Sequence, residues 1–120
     1  MTPREMTERD RRYVVPTWAN SSRYDDLTRS ERFRLVDRIL DTGARVVCLA
    51  TDERTVHAWA CASGETLHYV YVPPELRGEG LARRCITLVL GDYPEHINVT
   101  HVWPRASKRF RYTPHRREAA

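Results

Sequence analysis

Between residues 66 and 90 the hydrophobic period of the chain changes from two to about 3.6, across a loop carrying Pro73, Pro74, Gly78 and Gly80. The run Thr66-Leu67-His68-Tyr69-Val70-Tyr71-Val72 is β-branched and aromatic, which predicts a strand over 66–72. Pro73-Pro74 closes it, because neither residue can donate to a ladder. Leu81, Cys85, Ile86 and Val89 then share one face of a helix expected to end near Gly91-Asp92-Tyr93-Pro94. Ile97-Asn98-Val99-Thr100-His101-Val102 predicts a further strand over 97–102. A strand, a helix and a strand at this spacing should form a right-handed parallel crossover. The chain is therefore restricted to folds that mix helices with a sheet.

Upstream, the pattern is antiparallel. Residues 45–50 (Arg-Val-Val-Cys-Leu-Ala) read as a strand buried on both faces. A turn at Asp52-Glu53-Arg54 leads to a return strand over 55–62, and Ser63-Gly64-Glu65 turns the chain into the strand at 66. On regular alternation, His68 shares a face with Thr66, Val70 and Val72, while Tyr69 and Tyr71 share the other with Leu67. Two helices precede this meander. Thr7 followed by Asp10 resembles a capped helix start, and that helix carries Tyr13, Val14 and Trp18 as far as Tyr24, with Pro16 tolerated as a kink. Phe33, Val36, Ile39 and Leu40 define the second, capped by Thr28 or Ser30 and ended by Gly43.

The 120 residues suffice for a single domain, expected to span the whole chain with a basic tail from about residue 104. No apolar run approaches the roughly 20 residues of a membrane span, and the polar start lacks a secretory signal, so a cytoplasmic protein with no membrane partner is expected. Cys48, Cys61 and Cys85 are scattered within apolar stretches, fitting buried thiols and no zinc or disulfide pattern. The net charge of +4 is almost entirely arginine, and Lys108 is the only lysine. Six basic side chains between residues 105 and 117 interleave with Phe110, Tyr112 and His115, the combination of charge and stackable rings that a nucleic-acid surface uses.

Arg77-Gly78-Glu79-Gly80-Leu81-Ala82 carries the chemistry. Glycines let the backbone approach a ligand closely, and the unpaired N–H groups of the helix start then face an anion along the positive end of its dipole. Neither the phosphate-loop nor the dinucleotide pattern fits. The six residues match the R/Q-x-x-G-x-G/A motif of GNAT acetyltransferases, and the order of elements around them resembles that family over roughly residues 10–102. The resemblance implies an α/β fold with a mixed, mainly antiparallel sheet flanked by helices. It implies that Arg77, Gly78, Glu79, Gly80, Leu81 and Ala82 hold the pyrophosphate of acetyl-CoA or another acyl-CoA, with Tyr71 and Val72 along the pantetheine arm. It also implies a strand before the first helix, for which residues 1–7 leave little room. The stretch after Val102 is short for that family's last helix and strand pair. Tyr13-Val14-Val15-Pro16-Thr17-Trp18, residues 67–72, 99–103 and 110–115 resemble small GNAT-like proteins of bacteriophages, distantly related to Mom-type DNA-modification enzymes. That likeness implies a host cytoplasm and an amine acceptor on DNA or a modified base.

Acyl transfer to an amine needs a base for the nitrogen's proton and an acid for the departing thiolate. His68, on the strand before the motif, is the first candidate base, with Glu65 and His57 able to pair with it or replace it. His101 falls near the end of the last strand. Ser107 or Tyr112 is the candidate acid, Tyr112 for its chemistry and Ser107 for its position. His57, His68 and His101 have no metal-ligand spacing, and no metal is expected. The rival reading is a GNAT scaffold without turnover, acting as an accessory protein that binds a host protein or nucleic acid. Acceptor, acyl group and oligomeric state are left open.

Overall fold

The computed structural model describes residues 1–21 and 26–100, and the backbone of 110–112. Strand β1 (Thr2–Glu5) is followed by helices α1 (Glu8–Ala19) and α2 (Arg29–Asp41). Strands β2 (Arg45–Ala50), β3 (Val56–Ser63) and β4 (Thr66–Tyr71) come next, then a 3-10 turn at Pro74–Leu76 and helix α3 (Leu81–Leu90). Strands β5 (Ile97–Val99) and β6 (Phe110–Tyr112) complete a six-stranded sheet in sequential order. The first four strands are antiparallel; β4–β5 and β5–β6 are parallel.

Both helix starts are capped as the sequence suggests. Thr7 accepts from the Asp10 amide while the Asp10 carboxylate accepts from the Thr7 amide, and Thr28 and Glu31 repeat the device on α2. Gly43, at φ 93°, follows the end of α2. α1 ends at Ala19, short of Tyr24, which lies outside the described residues. Pro16 inside α1 removes one helical donor, and beside it the Thr17 hydroxyl reaches the carbonyls of Tyr13 and Val14 at 2.9 and 3.0 Å. The Trp59 indole N–H donates to that same hydroxyl at 3.2 Å, which fixes the ring against α1.

β1 corrects an expectation: residues 1–7 do hold a strand. Thr2 pairs with Ala50 and Glu5 with Val47, so backbone bonding alone places it at the sheet edge. Arg4 then ties three elements together. Its guanidinium donates to both carboxylate oxygens of Asp10 at 2.8 and 3.1 Å and to the carbonyls of Asp52 and Glu53 at 2.9 Å each.

The sheet separates two apolar clusters. On one face α1 and α2 bury Val14, Trp18, Val36 and Ile39 against Val46, Cys48, Trp59, Cys61 and Tyr69. On the other α3 buries Cys85, Ile86 and Val89 against Val47, Leu49, Ala60, Leu67 and Ile97. Trp18 and Trp59 have no exposed surface, and each gains roughly 4–6 kcal/mol of gross burial at about 25 cal/mol/Å². All three cysteines are free and buried. Burial pushes the thiols of Cys48 and Cys85 up to about 12, and that of Cys61 higher still.

Two irregularities break the alternation. Leu49 faces Ala58 but Ala50 faces Val56, so His57 is an extra residue in β3. Cys61 faces Tyr69 but Ala62 faces Leu67, so His68 is an extra residue in β4. The second bulge overturns the expected partition of that strand. Leu67 lies in the α3 cluster, whereas Tyr69 and Tyr71 pack on the α1 side. The His68 ring stacks on Trp18 at 6.5 Å, on the face opposite Val70 and Val72.

Candidate functional site

The loop after β4 needs left-handed backbone at two places, and glycine supplies both. Gly78 has φ 89° and Gly80, the N-cap of α3, has φ 78°. The first helical bond of α3 runs from the Arg84 amide to the Gly80 carbonyl, so the amides of the first turn point out of the helix start. No acidic residue occupies that turn to offset its positive dipole. The Arg77 Nε donates to the Val72 carbonyl at 2.9 Å, which pins the guanidinium where the strand ends.

These groups line a cleft of about 290 Å³ with Tyr69, Val70, Tyr71, Val72, Leu76, Leu81 and Ala82. Its wall is the half of β4 beyond the bulge. Among the described residues β5 pairs with β4 at Thr66 and Leu67, and the bond from the Thr100 amide to the Leu67 carbonyl at 3.2 Å is the last between their backbones. Tyr69, Val70, Tyr71 and Val72 line the cleft from this side. An extended polar ligand can lie along them while an anion sits on the helix start. A Cβ on Gly78 or Gly80 would meet no atom of the described residues within 4 Å, so among them nothing fills the space in front of either glycine.

Tyr71, Val72, Arg77, Gly78, Gly80, Leu81 and Ala82 thus share one cleft, and Glu79 is exposed beside it without lining it. His68 is buried at the point where β4 and β5 part. Its Nε2 lies 2.7 Å from Ser63 Oγ and its Nδ1 3.4 Å from Thr100 Oγ1. Glu65 lines a separate cleft with Asp92, His96 and Asn98 at the other end of α3. His57 bonds Thr51 at 3.1 Å and sits five residues of strand away from His68 by register, about 16 Å. Neither forms the expected pair with His68. His101 and Ser107 lie outside the described residues, and of Tyr112 only the backbone, paired with Val99, is described. Three residues of the segment read as a tail are therefore in β6.

Sequence reasoning missed Ser63, Thr100 and Tyr13. Tyr13 packs edge-on to Tyr71 at 6.2 Å, and its phenol is pushed up to about 12 by burial, with Tyr71 and Glu75 adding to the effect. A tyrosine placed one helix turn after a cap and before a Pro-Thr step gives no local sign of meeting a strand 58 positions on. Among the described residues, no three His, Cys, Asp or Glu side chains converge as metal ligands. Nor is any described helix long and apolar enough to cross a membrane.

An antiparallel sheet that turns parallel after a glycine-rich loop and helix, with two helices on the opposite face, is the GNAT acetyltransferase fold. Solved structures similar to it include members of that superfamily. A phosphinothricin acetyltransferase from Sinorhizobium meliloti in complex with AcCoA matches with a TM-score of 0.53 and 19% identity, covering 75% of this chain and 57% of that one. YjaB from Escherichia coli in its apo form matches at 0.52 and 19%, over 75% and 64%. yncA from Salmonella typhimurium, with its cofactor acetyl-CoA, matches at 0.51 and 17%, over 78% and 66%. The chain spans less than two thirds of the length of each. No family model matches the sequence, and no curated protein does.

Proposed function

We propose that this chain binds an acyl-CoA in the cleft between β4 and α3 and transfers the acyl group to an amine. The observation that carries the reading is the coincidence of the α3 start, two left-handed glycines and the end of β4 in one cleft. The residues fit the cofactor. The amides of Leu81 and Ala82, with Arg77, would hold its pyrophosphate across Gly78 and Gly80, with Glu79 at the loop's outer side. The backbone at Tyr71 and Val72 would pair with the pantetheine amides. When bound, the cofactor supplies an acyl group already activated as a thioester.

The chain's own residues then have three tasks. Amides of β4 beside the bulge would donate to the thioester oxygen of a bound cofactor, where negative charge develops. His68, at the parting of the strands, takes the proton of the attacking amine. Tyr112 returns a proton to the departing sulfur, with Ser107 and His101 as the other candidates in that part of the chain. The basic and aromatic residues between 105 and 117, and the resemblance to bacteriophage proteins, favour an amine on DNA or a modified base as acceptor, in a cytoplasm.

Calorimetric titration with acetyl-CoA tests the reading, with Gly80→Glu as control. Saturable binding that the control abolishes is expected. Absence of binding at millimolar ligand refutes it, and leaves the scaffold as an accessory protein for a macromolecular partner.

A further inference from the structure

We infer that Ser63, His68 and Thr100 form a proton exit from the parting of β4 and β5 to the protein surface. The inference rests on the acyl transfer proposed above and assigns a route to the proton that His68 removes. His68 is the extra residue of the β4 bulge, so its ring departs from the alternation and turns onto Trp18 instead of the α3 side. Only 8% of the residue remains exposed. Each ring nitrogen meets a hydroxyl on a different side. Nδ1 faces Thr100, which is itself buried and whose Oγ1 reaches the His68 carbonyl at 3.4 Å. Nε2 faces Ser63, the exposed last residue of β3, at 2.7 Å.

An imidazole can accept a proton at one nitrogen and release one from the other, which no other neutral side chain does near neutral pH. In this setting an N–H bond of the protonated amine breaks and the proton is taken at Nδ1, with Thr100 fixing the ring. The imidazolium gives its Nε2 proton to Ser63 Oγ as the Ser63 hydroxyl proton passes to water. The ring ends neutral, and one proton has moved from the amine to solvent. The nitrogen lone pair thus freed would form the new bond to the acyl carbon as the carbon–sulfur bond breaks, and the second proton then shed by the nitrogen would balance the one taken up by the sulfur. Ser63 acts here as a positioning residue that works through His68 and touches no substrate.

The experiment is the exchange of the His68 ring N–H with water, followed by NMR on protein labelled with 15N in its histidine rings and assigned with His68→Gln. Ser63→Ala is expected to slow that exchange at least tenfold, and Ser63→Thr, which keeps a hydroxyl, to restore it to within about twofold. An unchanged or faster rate in Ser63→Ala overturns the exit. Titration of the same samples with acetyl-CoA keeps the two readings apart. If the function fails, the wild-type protein does not bind. If only the exit fails, binding persists and exchange ignores Ser63.

Discussion

Replacing Gly80 by alanine separates what the protein needs from what its ligand needs. At φ 78° an L-residue is strained by about 1–2 kcal/mol, and the lower entropy of the unfolded alanine chain returns about 0.4–1 kcal/mol of that. The net loss of stability is therefore roughly 1 kcal/mol, since the new methyl meets no protein atom within 4 Å. For a domain of this size that is a fall of about 3–6 °C in Tm. The same methyl stands where an anion must approach the amides of α3. Losing even one hydrogen bond to a charged group costs about 1.5–3 kcal/mol, so acetyl-CoA affinity is expected to drop at least about tenfold. Gly64, at φ 58° in the β3–β4 turn and equally open, supplies the control. Gly64→Ala should lose similar stability and no affinity. Urea unfolding and calorimetry on both variants measure the two quantities. If Gly80→Ala binds as the wild type does, or Gly64→Ala loses as much affinity, the cleft is not the cofactor site.

Other perturbations have equally definite outcomes. Asp10→Ala should cost about 1–2 kcal/mol by urea unfolding, because it removes half of a capping box and the carboxylate that holds Arg4; a loss under about 0.5 kcal/mol would contradict that role. Burial pushes the Asp10 carboxyl upward, but its bonds from Arg4 and Thr7 outweigh this and hold it below the usual aspartate range. Its contribution is thus complete above the ordinary aspartate value near 4, and is lost as pH falls through the lower folded value, visible as an acid limb that Asp10→Asn removes. Iodoacetamide at pH 8 should leave the native thiols of Cys48, Cys61 and Cys85 unmodified and label all three in urea, read by intact mass. Trp59→Ala should destabilise by about 3–5 kcal/mol, since the ring is wholly buried and bonded to Thr17.

The glycine loop was legible in the sequence because its requirement is local. Left-handed backbone at a helix start selects glycine whatever the remainder of the fold. The helix caps and the strand at 45–50 were legible for the same reason, each resting on neighbours a few residues apart. β1 was not, because an edge strand held by backbone bonds need carry no apolar alternation, and Thr2-Pro3-Arg4-Glu5 carries none. The setting of His68 was half legible. Its strand was plain, but a bulge is a relation between two strands, and β4 alone gives no sign of it. Thr100 arrives 32 positions later through a parallel pairing, and Ser63 through the tight turn, so the neighbours of the ring were out of reach of local pattern.

The two bulges also set what this sheet tolerates. Each adds one residue to a rhythm of two, and everything beyond it is turned half a cycle. Substituting His57 or His68 keeps the count: the imidazole goes, but Tyr69 and Tyr71 still face α1. Drawing His68 into the ladder opposite Cys61 would instead swing both tyrosine rings toward Cys85, Ile86 and Val89, and bring Val70 and Val72 against Trp18 and Trp59. The two apolar layers would exchange contents along half a strand. At residue 68 the identity of the side chain serves the proposed site, while its exclusion from the ladder serves the fold.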